Sequence, residues 1–562
     1  MRRNAKAPSL SIARIAFVLL LAVASSGLLV TVTACEPADW TSTEYLKKQL
    51  VDGDRIKALE EMSKLPSDKQ RELVPTLVDL HKQDKDADRV FAILTGLRDP
   101  AAKEVYVATL KNAPSNRDRA SAAIALGDIG AKDQIPAMLE AFRAVPNQDL
   151  RRSILEAFKA MPDATELPLL QEILTKYDPD RESLAYHAFS CEIITSIGQY
   201  DDKTIEAVVY GMYLDNATGQ NVYKECATAV IAAGPLAVDP LIKALKGENE
   251  PIKTRFAKYP SFVEGPIEIK AVEVLGLIRD PRAVDPLLEE VQRVRSAPPH
   301  YRDDKLLTFA QNRIQFFVFT TDALGNIGDP KAIEYLDRAS QLEKKAIEPY
   351  QGMIDYDKRA KHDIVQGAAA AIGRIGDRDM GLPILYRIAS SGDIPELAKY
   401  GSEAFAYQSR WEAASEYAFL ADGSKVDDMD KLIAKEKVAD VKAKFETYKG
   451  MIMVAKECGA QAACYAGYLK GADKDKAAKA ALELGRLDSS PAVREALHTA
   501  LASEDLGLRL VVINALHKVG DAGTIEAIDK LLADEESRRG GEFKNIHFKV
   551  KALRAYLSNK GK

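Results

Sequence analysis

An all-α fold, an α-solenoid (superhelix) of about thirteen antiparallel helix pairs, is what this sequence predicts, and three observations predict it. A short joint, Leu324–Leu336, recurs along the chain in related versions. The recurrences fall 32 residues apart or somewhat more. The apolar residues are aliphatic and Ala-rich, stand at helical spacing and are punctuated by Gly, a pattern that leaves no credible strands. A fixed period of that length marks stacked helix pairs, each burying its apolar face against the next.

The joint reads Leu-Gly-Asn-Ile-Gly-Asp-Pro-Lys-Ala-Ile-Glu-Tyr-Leu. Gly328 can take the left-handed conformation that ends a helix without a Cβ clash. Asp329 can N-cap the next helix, and Pro330 suits its first position, where no amide donor is needed. Ala332, Ile333 and Leu336 then share one buried face. Related stretches are Leu126–Met138, Leu275–Leu287, Ile372–Ile384, Leu484–Ala496 and Val519–Ile528. The apolar residue after each joint, or its counterpart, falls at 103, 135, 167, 205, 238, 284, 333, 381, 429, 461, 493 and 525. A further pair, Asp54–Leu65 and Asp68–Gln83, precedes the first of these. The concave face is expected to be formed by the second helices of the pairs.

These joints resemble the HEAT-like repeats of the phycobilin lyase type, whose core is Leu-Gly-x-Ile-Gly-Asp-Pro-x-Ala-Val/Ile. The resemblance implies a solenoid and says little of function, because such repeats serve enzymes, scaffolds and adaptors alike. One enzymatic branch, the deoxyhypusine hydroxylases, carries His-Glu pairs that hold a di-iron centre. None of the seven histidines here precedes a Glu, so that activity and its metal do not carry over.

Residues 1–34 read as a leader rather than as part of the fold. Arg2, Arg3, Lys6 and Arg14 form a basic start, and Ile15–Val32 is an uncharged apolar run. It ends in Val32-Thr33-Ala34-Cys35, which resembles the lipobox of bacterial lipoproteins and implies cleavage before a lipidated Cys35. Two or three acyl chains on Cys35 would anchor the protein stably where one would not. Residues 35–40 form a short linker, and 41–562 is expected to be one repeat solenoid. Glu36 after the cysteine resembles an outer-membrane address, facing the periplasm or the cell surface.

Removing the leader leaves 74 basic against 83 acidic residues, a net charge near −9. No Lys/Arg stripe offers to release phosphate counterions, which argues against nucleic acid as a partner. An oxidising envelope compartment permits disulfides. Cys458 and Cys464 straddle a helix-turn-helix joint that can bring their Cα atoms within bridging range, so a disulfide is expected there. Cys191 and Cys226 hold nearly equivalent places in successive first helices. Helix axes stand about 8–10 Å apart, which tips that pair toward two buried thiols over a bridge.

Four successive repeat intervals, in the middle of the chain, exceed 32 residues by 14 to 17. The extra residues are placed at 246–266, 294–306, 338–362 and 389–411, before the first helix of each repeat. Equivalent connections line one edge of a solenoid, so the four should build one ridge. They hold ten aromatics in 82 residues, 12% against 7% for the whole chain, an enrichment that binding sites share. Tyr259, Tyr301, Tyr356 and Trp411, one per insert, are the expected partner contacts.

No catalytic constellation appears: there is no Gly-x-Ser-x-Gly elbow, phosphate-cradling loop, His-Glu-x-x-His or dinucleotide fingerprint. His300–Asp304 and His362-Asp363 each read as a solvated loop or a helix start. Two function classes follow. The first is a monomeric, non-enzymatic scaffold, cofactor-free, held to the membrane by its lipid and presenting its surface to an envelope protein. The second is a binder or modifier of a small glycan, peptide or pigment-like ligand under the ridge, with bilin-lyase-like activity as its enzymatic form.

Overall fold

The computed structural model describes residues 38–258, 263–357, 359–390, 408–487, 490–539 and 544–560. Cys35 and Tyr259 lie outside the described residues, as does most of the fourth insert. Among the described residues the chain is helical, with one isolated bridge, Asp215 to Asn221, and no strand. It divides into two compact units, one up to Val90 and one from Phe91.

The first unit holds the helices Thr43–Asp52, Arg55–Met62, Ser67–Arg71 and Val74–Lys82. Its core is Leu46, Leu50, Met62, Leu73 and Leu77, all fully buried. Ser42 and Asp54 cap the first two helices by accepting from the Tyr45 and Lys57 amides.

In the second unit the joints form as their residues dictate, with one difference. Gly328 sits at φ 80° and its amide closes the helix on Leu324 O at 3.0 Å. Asp329 is extended, and its Oδ1 accepts the Lys331 amide at 2.9 Å. The element it caps is a single 3-10 turn, Pro330–Ala332, that runs on into the helix Ile333–Ser340. Proline fixes φ and the aspartate reaches two residues on, so the tighter turn comes first. Asp99, Asp163, Asp280 and Asp422 make the same bond, at 2.9–3.0 Å. Ala332, Ile333 and Leu336 are fully buried.

The first helices of the pairs stack on one another. Numbered in order, those used below are α1 (Asn116–Asp128), α2 (Gln148–Ala160), α3 (Leu184–Ile197), α4 (Tyr223–Ala233), α5 (Pro266–Ile278), α6 (Asp303–Ile327), α7 (Arg359–Ile375), α8 (Gln408–Leu420), α9 (Ala439–Cys458), α10 (Lys474–Leu484), α11 (Leu506–Val519) and the last helix, α12 (Lys544–Lys560). Glycine permits the stacking. A Cβ on Gly276 would come within 2.6 Å of Ala323 Cα, and one on Gly127 within 2.6 Å of Ala157 Cα. Gly485 meets Ala515 Cα in the same way at 2.8 Å. The Leu-Gly of the repeat therefore lets successive first helices touch backbone to backbone, as small residues do elsewhere at close helix crossings.

Several successive first helices make the closest contacts of the second unit. From α4 onward the stack closes on itself: α12 packs on α11 and returns to α4 and α5. Asn559 Nδ2 donates to Ala232 O at 2.8 Å and fills the space over Gly234, across 327 residues of sequence. Phe548 stands 6.2 Å from the Tyr223 ring. The returning contacts are made between the last helix and the first helices α4 and α5.

Both cysteine pairs are bridged. Cys458 and Cys464 have Cα atoms 5.3 Å apart, and Cys191 and Cys226 4.9 Å. The second pair corrects the expectation of two thiols. Both sulfurs lie beside Gly211, which has no side chain to hold the two helices apart there.

Asp329→Ala should cost about 0.5–2 kcal/mol as a lost cap, and Ile333→Ala about 2–5 kcal/mol as lost core packing. Chemical unfolding followed by a probe near the joint checks the order, with the Ile333 variant the less stable.

Candidate functional site

The inserts divide between helix and packing. The first contains the helix Glu250–Ala257, whose Phe256 packs edge-on against Tyr213 at 6.3 Å. The second is partly absorbed into α6, which at 25 residues is nearly twice the length of α5. The third forms Lys344–Ile347, a 3-10 turn and the helix Gln351–Tyr356.

Three of the four chosen contact residues can be placed, and they differ. Tyr301 is 7% exposed, packs edge-on against Phe309 at 6.2 Å, and its hydroxyl accepts the Glu264 amide at 3.3 Å. It is a packing residue, which corrects its assignment as a partner contact. Trp411 is half-buried, with Lys444 Nζ 4.8 Å from its ring centre. Tyr356 is 68% exposed and is the ring of the three that faces solvent. Tyr350 is buried too: its hydroxyl donates to Val291 O, its ring stands 5.1 Å from Phe317, and Arg313 covers it. Loops this long need a core of their own, and most of their rings supply it.

Beneath the Gln351–Tyr356 helix lies a cavity of about 190 Å³, lined by Ile314, Met353, Asp357, Arg359, His362 and Asp363 among others. His362 is 2% exposed, with Nδ1 3.0 Å from the Ser409 hydroxyl. Burial lowers its pKa below the ordinary imidazole value, so it is neutral at pH 7. Asp357 accepts from Arg359 twice, from the amide at 2.9 Å and from Nε at 2.7 Å. The sequence reads His362 and Asp363 as a solvated loop or a helix start; they lie in α7, which begins at Arg359, and His362 is buried.

The C-terminal ends of the first helices carry charge that the sequence left unremarked. Arg279 follows α5 at φ 61° and donates to Asn514 Oδ1 of α11 at 2.6 Å. Burial pushes its pKa down to about 10. Asp322 of α6 pairs with Arg374 of α7. Lys479 of α10 is fully buried and donates to Phe419 O, Ala421 O and Glu483 at 2.6–2.8 Å. Arg378 Nε reaches Leu420 O at 2.8 Å. Helix α8 ends in Leu420-Ala421-Asp422, with no glycine in the first place past the helix, so cations from neighbouring repeats satisfy its last carbonyls. Lys560 does the same for Lys518 O at 3.1 Å. These groups hold helix ends; they bring no nucleophile and base together.

Residues 104–190 and 465–540 match HEAT repeats, and residues 269–292 match the PBS lyase HEAT-like repeat. Over those stretches the helix pairs are similar to HEAT repeats. No curated protein matches the chain. Among solved structures the chain is similar to one reported as "Kap95p Binding Induces the Switch Loops of RanGDP to adopt the GTP-bound Conformation: Implications for Nuclear Import Complex Assembly Dynamics". The two share 12% identity over 91% of this chain and 80% of that one, with a TM-score of 0.26. The fold is an all-α HEAT-type solenoid on the strength of its helices and repeat matches.

Two outcomes check these placements. Tyr301→Ala should cost about 3–5 kcal/mol as a buried ring and Tyr356→Ala less than about 0.5 kcal/mol, by chemical unfolding. Glu416 of α8 gives a pH signature, because burial pushes its carboxyl up to about 7. Between the ordinary carboxylate range and that value the folded state binds more protons than the unfolded one, so stability falls as pH rises through this window. Glu416→Gln should flatten the fall, read as unfolding midpoints across pH 4 to 8.

Proposed function

We propose that this chain is a lipid-anchored, non-enzymatic scaffold of the bacterial cell envelope, holding a protein partner at the membrane. The anchor rests on one sequence observation, the Val32-Thr33-Ala34-Cys35 run after an uncharged apolar segment. The scaffold rests on the repeat body. Stacked HEAT pairs offer extended surface, and a solenoid whose last helix returns to α4 and α5 offers it on a stiff frame. Glu36 favours the outer membrane, facing the periplasm or the cell surface. The acidic body, near −9 without its leader, suits a protein partner rather than nucleic acid.

The interaction surface includes the part of the ridge that stays exposed around Tyr356, with Trp411 half-covered farther along the chain. An exposed aromatic beside polar groups is the composition that anchors interfaces.

Cys35→Ala should leave an uncleaved precursor that takes up no alkyne fatty acid in metabolic labelling, while wild type is labelled and membrane-bound. Equal labelling of the two would remove the anchor. Crosslinking and pull-down from membranes, repeated with Tyr356→Ala and Trp411→Ala together, tests the scaffold. Undiminished capture by a folded double variant would move the interface off the ridge.

A further inference from the structure

We propose that the joint entering the helix Leu167–Lys176 is a pH-sensitive switch, shut while the Glu166 carboxyl keeps its proton and loosened once it ionises. This switch is independent of the scaffold reading.

The repeat itself shows what Glu166 replaces. Three residues on from the capping aspartate, other joints carry Ala102, Ala283 and Ala332, each fully buried. Asp163 caps the corresponding turn, Ala164–Glu166, by accepting the Thr165 amide at 3.0 Å. Three residues on from Asp163 stands Glu166, with a carboxyl where the others have a methyl group. Long polar side chains at the same place in other repeats keep contact with water, and Gln134 and Lys425 are half-buried. Glu166 is 0% exposed.

Its oxygens are not satisfied. Neither Oε1 nor Oε2 makes a hydrogen bond of ordinary geometry among the described residues. The Asp163 amide, the donor of a capping box, lies close enough to favour the charged form but falls short of such a bond. The next repeat gives the contrast. Thr204, fully buried three residues after its capping Asp201, donates to Asp201 Oδ1 at 2.6 Å and accepts from Gln171 Nε2 at 2.8 Å.

Two charged groups act on Glu166. Asp163 opposes its ionisation, and Lys132, whose Nζ donates to Pro162 O at 2.9 Å, favours it. The helices packed against this turn, Ile135–Ala144 and Leu167–Lys176, carry Glu140, Arg143, Glu172 and Lys176, none of which acts on it appreciably.

An unpaired buried carboxylate costs far more than a neutral carboxylic acid, so burial favours the protonated form. It pushes the Glu166 carboxyl up to about 8. In an opened joint the carboxyl meets water and returns to the ordinary carboxylate value. Between those two values the closed joint binds one proton more than the open one, so closure weakens as pH rises. Each pH unit in that window shifts the closed-to-open ratio about tenfold toward open. Below the window both forms are protonated, and above it both are charged. The repeat belongs to the run α1 to α3 ahead of α4, so its loosening leaves the bond of Asn559 to Ala232 in place.

Amide hydrogen exchange on the intact protein, resolved by peptide and corrected for the intrinsic pH dependence of exchange, tests the switch. From about pH 5 to 8, protection of the amides in Leu167–Lys176 should fall steeply, approaching about tenfold per unit. Glu166→Ala should give a flat profile over that range, with protection above wild type at its alkaline end. Glu166→Gln keeps the shape and removes the charge, so it should also be flat and serves if the alanine variant fails to fold. A flat wild-type profile, or a slope that the variants keep, would overturn the proposal.

Discussion

The close approach of successive first helices is the constraint from which the rest follows. Where Gly276 faces Ala323 and Gly485 faces Ala515, nothing larger than hydrogen fits on the glycine. Such glycines bring one first helix onto the backbone of the next. From α4 to α12 the second unit meets itself, its last helix packing on α4 and α5.

The ends of these helices carry charge because their last carbonyls need donors. Gly328 and Gly198 answer locally by taking left-handed conformations. At α8 and α11 the donors come from elsewhere: Lys479, Arg378 and Lys560 reach across from other repeats. Arg378 and Lys560 tie adjacent repeats, and Lys479 reaches over the α9 repeat to α8. They make the second unit behave less like a string of independent pairs than an open solenoid would.

The local grammar of this fold was legible in the sequence, and its closure was not. Ile135, Leu167, Val238, Val284 and Ile333, marked by spacing alone, each begin a second helix, because Asp-Pro-x-Ala and its relatives act within a few residues. Asp329 caps as its type predicts, although through a 3-10 turn. Closure sums many small rotations and is sealed by Asn559 on Ala232, a pair that no periodicity marks. The ridge shows a similar limit. Aromatic enrichment was visible, but which rings turn inward depends on the chain they cover: Tyr301 and Tyr350 serve as core while Tyr356 does not. Lys479 lies on an Ala-rich helix and is fully buried, with the α8 carbonyls within its reach.

The central claim is that the second unit closes through its last helix, and a distance measurement tests it most directly. Leu236, 60% exposed beside Gly234, and Ser558, beside Asn559, can each be replaced by cysteine and spin-labelled, with Cys35 changed to serine. Double electron–electron resonance on the intact protein should give one narrow distribution at the short end of the method's range. A broad distribution centred at long distance would mean that the last helix does not return to α4 and that the solenoid is open.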